Sequence, residues 1–415
     1  MVSDERQAPR LLDRVSDGFD LRDEAQFERL LETADSLIGR VSGTDDLEQL
    51  EWMVARDPDS WSLGARVVVK LARSKALLAK RREPLHLSVV LPVYAEHQRI
   101  LRPEDHPLGE AFVDRKLRQL DWLIADRNRH SYELLIVDDG CPHGSGRLAA
   151  EILRHRHPFA PARVSFLADA IRTRVPVVAG LNSVEESRKG GSVYLGLWQA
   201  TRCYHQGHVV TYTDADLSTH LGQAGLLIDA LDRPGTSAAA GSRRNRLSVA
   251  VKSSGRSARG RLFIYLWKQL LPELAYLDDT QCGFKAFPAA TARRLADSPK
   301  ESGFAFDLEV LLRCELGRSR SIASVPVAWI DSEAASTTVD SDPYLPMLRS
   351  IVSLARRHRR LHAGSEPFAE AIDTLDKDGW DRAVQRLGPR MEAIDPALDA
   401  ALAYLPASEL VATSS

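Results

Sequence analysis

Cysteine is scarce in these 415 residues: Cys141, Cys203, Cys282 and Cys314 are widely spaced and form no C-x-x-C pair. That argues against a zinc site of the usual ligand spacing and a disulfide framework, and points to reduced thiols in a cytoplasmic protein. No apolar run reaches membrane-spanning length, and the N-terminus MVSDERQAPR lacks the apolar centre of a signal peptide. Charge of one sign is missing too. With a net charge of −2, no global field draws nucleic acid or an anionic membrane, so any phosphate recognition must be local. Lysine is rare, 10 against 45 arginines, which reads as coding bias rather than function. No G-x-G-x-x-G follows a strand, which sets aside a dinucleotide dehydrogenase. There is no internal repeat. What remains is ordinary globular composition, 44% hydrophobic and 27% charged, enough for a real core.

The pattern changes along the chain. Residues 1–83 read as a helical extension, with apolar spacings of three and four in FERLLETADSLIGRV and LGARVVVKLARSKALLAK, interrupted by RDPDSWSLG. After Pro84, LHLSVVLPVY (85–94) and YELLIVDDG (132–140) are short apolar runs separated by the helix-like AFVDRKLRQLDWLIAD. Strand, helix, strand at this spacing predicts a βαβ unit and a parallel sheet with its ligand at the strands' carboxyl ends. RVPVVAGL (174–181), HVVTYTDAD (208–216), SAAAGSR (237–243) and IASVPVAWI (322–330) supply further strand candidates. The predicted fold class is α/β over 84–340, with a second helical extension over 341–415 that ends in a mobile Ser/Thr-rich tail. Both extensions offer surfaces for a homodimer.

Three strand ends carry acids: Glu96 after the first, Asp138 and Asp139 after the second, Asp214 and Asp216 in YTDADLSTH. A lone D-x-D is more often a strand end followed by a helix cap. Five acids on one rim, however, need a cation or a donor-rich ligand. A ribose and base offer donors, and a metal-bound diphosphate answers the D-x-D pair, which describes a nucleotide-sugar site. Between the strands, SRKGGSVYLG places Gly190 and Gly191 at a helix start beside Lys189. His220 is expected in solvent at a helix start, Trp198 and Trp267 in the core, and Cys282 as a small buried residue.

SVVLPVYAE, IVDDG, RKGGSVYLGL, YTDADLSTH, GSR (241–243), DDTQCGFKAF and FAFDLEVLLR occur in this order. Together they resemble the family-2-like glycosyltransferases of the GT-A fold, on the dolichyl-phosphate glucosyltransferase and mannosyltransferase branch. The resemblance covers about residues 85–340. It implies a Rossmann-like, mostly parallel sheet and a hexosyl transfer from a UDP- or GDP-sugar. It also implies that Pro92, Tyr94 and Glu96 border the nucleoside, that Asp138 binds its base or ribose, and that Lys189 lies near the nucleotide. Asp214 and Asp216 would hold Mg²⁺ or Mn²⁺ on the diphosphate, and Arg243 would face sugar or phosphate. Gln281 and Lys285, in the DTQCGFK wall, would line the acceptor side; Trp329, an aromatic at a strand end after VPVA, is read from its position as a further acceptor-side residue. Asp307 is the candidate general base and Asp279 the second; a phosphate acceptor, already ionised, needs neither.

The chain lacks a spanning helix, and the basic cluster Arg356, Arg357, His358, Arg359 and Arg360 reads as the solvated end of a helix before it reads as a lipid contact. The expectation is therefore a water-soluble small-molecule acceptor, without nucleic acid. A membrane-peripheral polyprenyl-phosphate glycosyltransferase is the alternative. A sugar-nucleotidyltransferase ranks below it, because PVYAEHQRI has no glycine where that class needs a glycine-rich loop. A non-catalytic nucleotide-sugar scaffold is disfavoured by the intact D-x-D.

Overall fold

The computed structural model describes residues 7–13, 15, 20–251, 258–299, 301–303, 305–331, 344–392 and 405–411. The 340/341 boundary, Phe304 of FAFDLEVLLR and the terminal residues 412–415 lie outside them.

The chain's strands are β1 (Leu85–Val93), β2 (His130–Asp138), β3 (Ala162–Phe166), β4 (His208–Thr213), β5 (Ala238–Ser242), β6 (Val249–Val251), β7 (Phe284–Pro288), β8 (Ile322–Pro326) and β9 (Ala328–Ile330). Seven form one sheet in the order β3-β2-β1-β4-β7-β5-β8, and β6 pairs with β9 in a second. All neighbours in the large sheet are parallel except β7, which runs antiparallel to both β4 and β5. β1 is buried at every residue, as a central parallel strand covered on both faces must be. Its side chains alternate between two cores. Leu87, Val89 and Leu91 join one cluster with Leu30, Leu31, Val67, Val68 and Leu71 of the amino-terminal helices Glu24–Ile38 and Leu63–Lys80. Val90 joins the other, with Val193 and Leu197 of helix Gly190–Ala200 and Leu348 and Ile351 of helix Tyr344–Arg357. The helices before and after the sheet are thus its outer layers. Lys70, 1% exposed, fastens the front layer by pairing with Glu51 and donating to the Pro326 carbonyl at 2.9 Å. Among the described residues, no helix is long and apolar enough to cross a membrane.

Several expectations need correction. Residues 174–181 are not a strand: Pro176–Val178 is a 3₁₀ turn, entered through Arg174 at φ +54°. Its valines are apolar because Val177 and Val178 pack under helix Gly190–Ala200, not because they pair in a sheet. The strand that runs beside β2 is the half-exposed ARVSF of β3, whose weak apolar pattern hides it. IASVPVAWI is two strands in two sheets. Pro326 has no N–H to extend the ladder, and beyond it Val327 N–H turns to the Ser242 carbonyl at 3.1 Å. His220 is not in solvent. It stacks on Phe27 at 5.3 Å, its Nδ1 accepts from Gly222 N–H at 2.9 Å, and burial pushes it down to about 3. In the basic cluster, Arg356 pairs with Asp373 at 2.6 Å and Arg360 with Glu273 at 3.1 Å.

At the edge of the sheet away from the acids, His86 stacks on His205 at 3.7 Å and lies 4.9 Å from His208. The Ser88 hydroxyl donates to Glu133 at 2.7 Å and meets His208 Nε2 at 2.8 Å. Burial first, then the neighbouring His86 and His205, push His208 down to about 4. Unfolded, the same ring takes a proton near pH 6.5. Its contribution to stability is therefore complete above about pH 6.5 and is lost as pH falls toward 4, up to about 3 kcal/mol at the limit. The melting temperature should drop between pH 7 and pH 5, and His208→Gln should flatten that drop. An equally steep profile in the variant would assign the loss to other groups.

Candidate active site

The carboxyl ends of β1, β2 and β4 open into a cleft of about 660 Å³. Pro92 at the end of β1 and Tyr94, Glu96 and Arg99 after it line it, with Asp139 and Gly140 after β2, and Asp214, Ala215 and Asp216 after β4. Lys189 enters from the start of helix Gly190–Ala200, Gln281 from the turn before β7, and Phe306 and Asp307 from helix Phe306–Gly317. Met347, from helix Tyr344–Arg357, closes one side. A parallel sheet puts its ligand site at this edge because every strand there ends with its loops on the same side. A larger groove of about 910 Å³, between helix Glu24–Ile38 and helix Phe112–Leu123, is lined by charged groups such as Arg102, Asp114 and Arg156, and none of the acids at the strand ends lines it.

Successive side chains at a strand end point opposite ways, and this separates Asp138 from Asp139. The Asp138 carboxylate is turned to the backbone. It accepts from Gly140 N–H at 3.0 Å, Cys141 N–H at 2.9 Å and Gly146 N–H at 2.7 Å, and it is absent from the cleft lining. A Cβ at Gly146 would stand 2.6 Å from its Oδ2, so that glycine admits the carboxylate. Asp139 faces the cleft and accepts from Ser187 Oγ at 2.7 Å and from Lys189 N–H at 2.8 Å. Burial raises its pKa against those two hydrogen bonds.

The acids expected to need a ligand find cations of the chain instead. Arg99 holds Glu96 through two nitrogens, Nε at 2.6 Å, and its Nη1 lies 3.7 Å from Asp216 Oδ2. Burial outweighs Arg99 and raises Glu96 to about 7. Lys189 pairs with Asp214 Oδ1. Burial raises Asp214, but the Lys189 charge outweighs it and the net shift is downward; Asp216 is raised by burial and then by the Asp214 charge. Behind the loop, the fully buried Lys116 donates to the Thr219 carbonyl at 2.8 Å, and burial lowers it to about 8 despite the charges of Asp216 and Asp214. Gly283 makes room for all this: a Cβ there would stand 2.2 Å from Asp214 Oδ2.

On the other wall, Asp307 Oδ1 accepts from Tyr212 OH at 2.5 Å and from Lys285 Nζ at 2.5 Å. Lys285 is fully buried, donates also to the Cys282 carbonyl at 2.7 Å, and lies behind Asp307 rather than on the cleft surface. Asp279 is committed to Arg243, whose Nε and Nη2 reach it at 2.7 and 2.9 Å. That pair, with burial opposing it, holds the Asp279 carboxyl well below the usual carboxylate range. Trp329 lies under the Arg243 guanidinium at 5.3 Å. Asp138, Arg243, Asp279, Lys285 and Trp329 thus form the second layer of the site. Pro92, Tyr94, Glu96, Lys189, Asp214, Asp216, Gln281 and Asp307 share the cleft. Sequence reasoning passed over Arg99, Ser187, Lys116 and Met347. Only Arg99, three residues after Glu96, carried a local signal.

Among the described residues no three metal-ligating side chains converge. The donor set nonetheless fits a hard divalent ion of the Mg²⁺ kind, which takes one or two carboxylates and completes its shell with substrate phosphates and water. Asp214 and Asp216, both partly exposed to the cleft, are the residues that would hold it.

No family model matches the chain. In sequence it is 28% identical over 262 residues to a dolichyl-phosphate beta-glucosyltransferase of Drosophila melanogaster, covering 61% of this chain and 70% of that one. The Homo sapiens dolichyl-phosphate beta-glucosyltransferase is 26% identical over 258 residues, covering 60% and 68%. Glycosyltransferase AglD of Haloferax volcanii is 28% identical over 250 residues, which is 59% of this chain and only 33% of AglD. Among solved structures, mannosyl-3-phosphoglycerate synthase from Rubrobacter xylanophilus matches with a TM-score of 0.43 and 19% identity, over 70% of this chain and 77% of that one. The Pyrobaculum calidifontis mannosyltransferase PcManGT, in complex with GDP-Man and Mn²⁺, matches with a TM-score of 0.39 and 15% identity, over 88% and 90%. At these TM-scores the structural likeness is loose. The mostly parallel sheet flanked by helices, with one reversed strand, is the architecture expected of the GT-A type, and the relatives in sequence are named glycosyltransferases. In sequence it resembles the dolichyl-phosphate beta-glucosyltransferases, at identities below 30%.

Proposed function

We propose that the protein transfers a hexose from a nucleoside-diphosphate sugar to the phosphate of a polyprenyl phosphate, with Mg²⁺ or Mn²⁺ at the D-x-D. The observation that carries the reading is the pair Asp214 and Asp216 on the same cleft as Lys189, beside chains of dolichyl-phosphate glucosyltransferase type in sequence. The sequence alone favoured a water-soluble acceptor; the relatives favour the lipid phosphate, and the chemistry agrees. A phosphate monoester brings its own anionic nucleophile, so the reaction needs no strong base in a cleft whose best candidate, Asp307, already serves as counter-charge to a buried lysine.

In this reading Pro92, Tyr94 and Glu96 border the nucleoside, with Asp139 rather than Asp138 offered to it. The Lys189 ammonium meets the diphosphate, whereas the N–H groups of Gly190 and Gly191 are already committed to the Ser302 carbonyl and the Ser187 hydroxyl, each at 3.1 Å. An acceptor phosphate oxygen attacks the anomeric carbon, the bond from that carbon to the diphosphate breaks, and the nucleoside diphosphate leaves. A divalent ion, when bound, neutralises the charge that grows on that leaving group. Phe306 and Met347 give the acceptor side an apolar wall.

The test is direct. Purified protein is given UDP- and GDP-sugars with a polyprenyl phosphate in detergent, or with water-soluble sugars and phosphates. Release of nucleoside diphosphate with the lipid phosphate, abolished by EDTA, is expected. Transfer confined to a water-soluble hydroxyl acceptor would overturn the acceptor assignment.

A further inference from the structure

We infer that Lys189 is a tethered counter-cation which holds Asp214 in the free enzyme and moves to the diphosphate when the donor binds, so that divalent metal and nucleotide bind as a pair. The inference rests on the donor reading of the cleft and adds the order in which its charges are exchanged.

The Lys189 ammonium pairs with Asp214, one of the two carboxylates available to a divalent ion, while Arg99 lies 3.7 Å from the other, Asp216. Two monovalent cations of the chain therefore stand where one divalent ion would act. The two hold unequally. Arg99 is tied through two nitrogens to Glu96 and is 6% exposed, so it stays. Lys189 has a side chain 27% exposed against a carboxylate 35% exposed, an ion pair that water and a ligand can reach.

The backbone shows that this placement is imposed. Lys189 is a non-glycine residue at φ +79°, a left-handed conformation that costs a side-chain-bearing residue about 1 kcal/mol or more. Its N–H is fixed on Asp139 at 2.8 Å, and its carbonyl accepts from Ser192 Oγ at 2.8 Å. The Cα is thus clamped at the helix start while the four-carbon stem remains free to swing.

The consequence is coupling. A divalent ion arriving alone must displace Lys189 and finds at most two carboxylates. A nucleoside diphosphate arriving alone can recruit the ammonium only by leaving Asp214 without its partner, and so faces that carboxylate's charge. Together the diphosphate supplies oxygens for the ion and an anion for the released ammonium. Each then raises the other's affinity by the same factor, as linkage requires.

Mn²⁺ binding followed by electron paramagnetic resonance tests this without turnover. It is measured with and without UDP and GDP, in the wild-type protein and in Lys189→Met. The wild type should bind Mn²⁺ weakly alone and at least about tenfold more tightly with a nucleoside diphosphate. Lys189→Met should bind Mn²⁺ alone about fivefold or more tighter than the wild type, and the nucleotide's enhancement should shrink. Lys189→Gly, which removes the ammonium and relieves the backbone, should behave the same way and covers a misfolded methionine variant. Free Mn²⁺ affinity unchanged in both variants overturns the tether while leaving the donor site standing. A wild type that binds no Mn²⁺ even with both nucleotides overturns the metal-and-donor reading itself.

Discussion

Asp214→Asn and Asp216→Asn will each lower donor turnover by at least about 10²-fold while the protein stays folded. The size follows from charge. The departing nucleoside diphosphate gains negative charge as the glycosidic bond breaks, and each tenfold of rate requires about 1.4 kcal/mol of extra stabilisation at that moment. A carboxamide can still accept a hydrogen bond but cannot anchor a divalent ion with charge. The fold should tolerate both changes, because Asp214 and Asp216 are 35% and 19% exposed at their side chains and neither neutralises a buried cation alone. Lys189 loses its partner in Asp214→Asn but keeps access to water, and Arg99 keeps Glu96 in Asp216→Asn. The two variants should still differ in one respect. Asp214→Asn leaves Lys189 free for the diphosphate, so nucleotide affinity without metal should hold or rise. Turnover above a tenth of the wild type in either variant, or full activity in EDTA, would sink the role of the pair.

The site's acids were legible because each ends an apolar run, and a strand's carboxyl end is the one place where a parallel sheet gathers side chains from distant segments. VDDG, KGG and DAD could be placed on one rim without coordinates. What compensates them could not. Lys116 reaches the D-x-D loop from helix Phe112–Leu123, Met347 from helix Tyr344–Arg357, and Ser187 from a loop, and nothing local in those segments marks them. The reversal of β7 was hidden for a related reason. DTQCGFKAF looked like a wall, yet its second half is a strand whose Phe284 pairs with Thr213, bringing Gly283 against Asp214. Asp138 and Asp139 were also indistinguishable as letters. Only the backbone amides of the turn into helix Ser145–Arg156 decide which of them belongs to the fold and which to the cleft. Nor did the letters distinguish the buried Lys70, Lys116 and Lys285, or Lys189 in the cleft, from exposed lysines such as Lys80 and Lys377.

Lys285→Met and Asp307→Asn will each destabilise the protein by about 3–5 kcal/mol, and Lys285→Met with Asp307→Leu will recover much of that loss. Lys285 is 0% and Asp307 7% exposed at their side chains, so removing one partner strands the other's charge in the core. Removing both strands none, although the Tyr212 hydroxyl loses its acceptor and keeps about 1–3 kcal/mol of the cost. Urea unfolding of these variants together with Asp307→Leu alone closes the cycle and measures the coupling, and additive losses would mean the pair is no unit. The same variants decide what Asp307 does for the reaction. Burial and then the Asp307 charge hold the Tyr212 hydroxyl protonated, so both Tyr212 and Lys285 donate to Oδ1 and aim the carboxylate at the cleft. With a phosphate acceptor, already an anion, no proton need be taken. Asp307→Asn, assayed where it is fully folded, should then keep kcat within about tenfold of the wild type with an unaltered acidic limb of the pH–rate profile. A fall of about 10²–10⁴ with a flattened acidic limb would make Asp307 the base after all. The nucleophile would then be a hydroxyl, and the lipid phosphate would be the wrong acceptor.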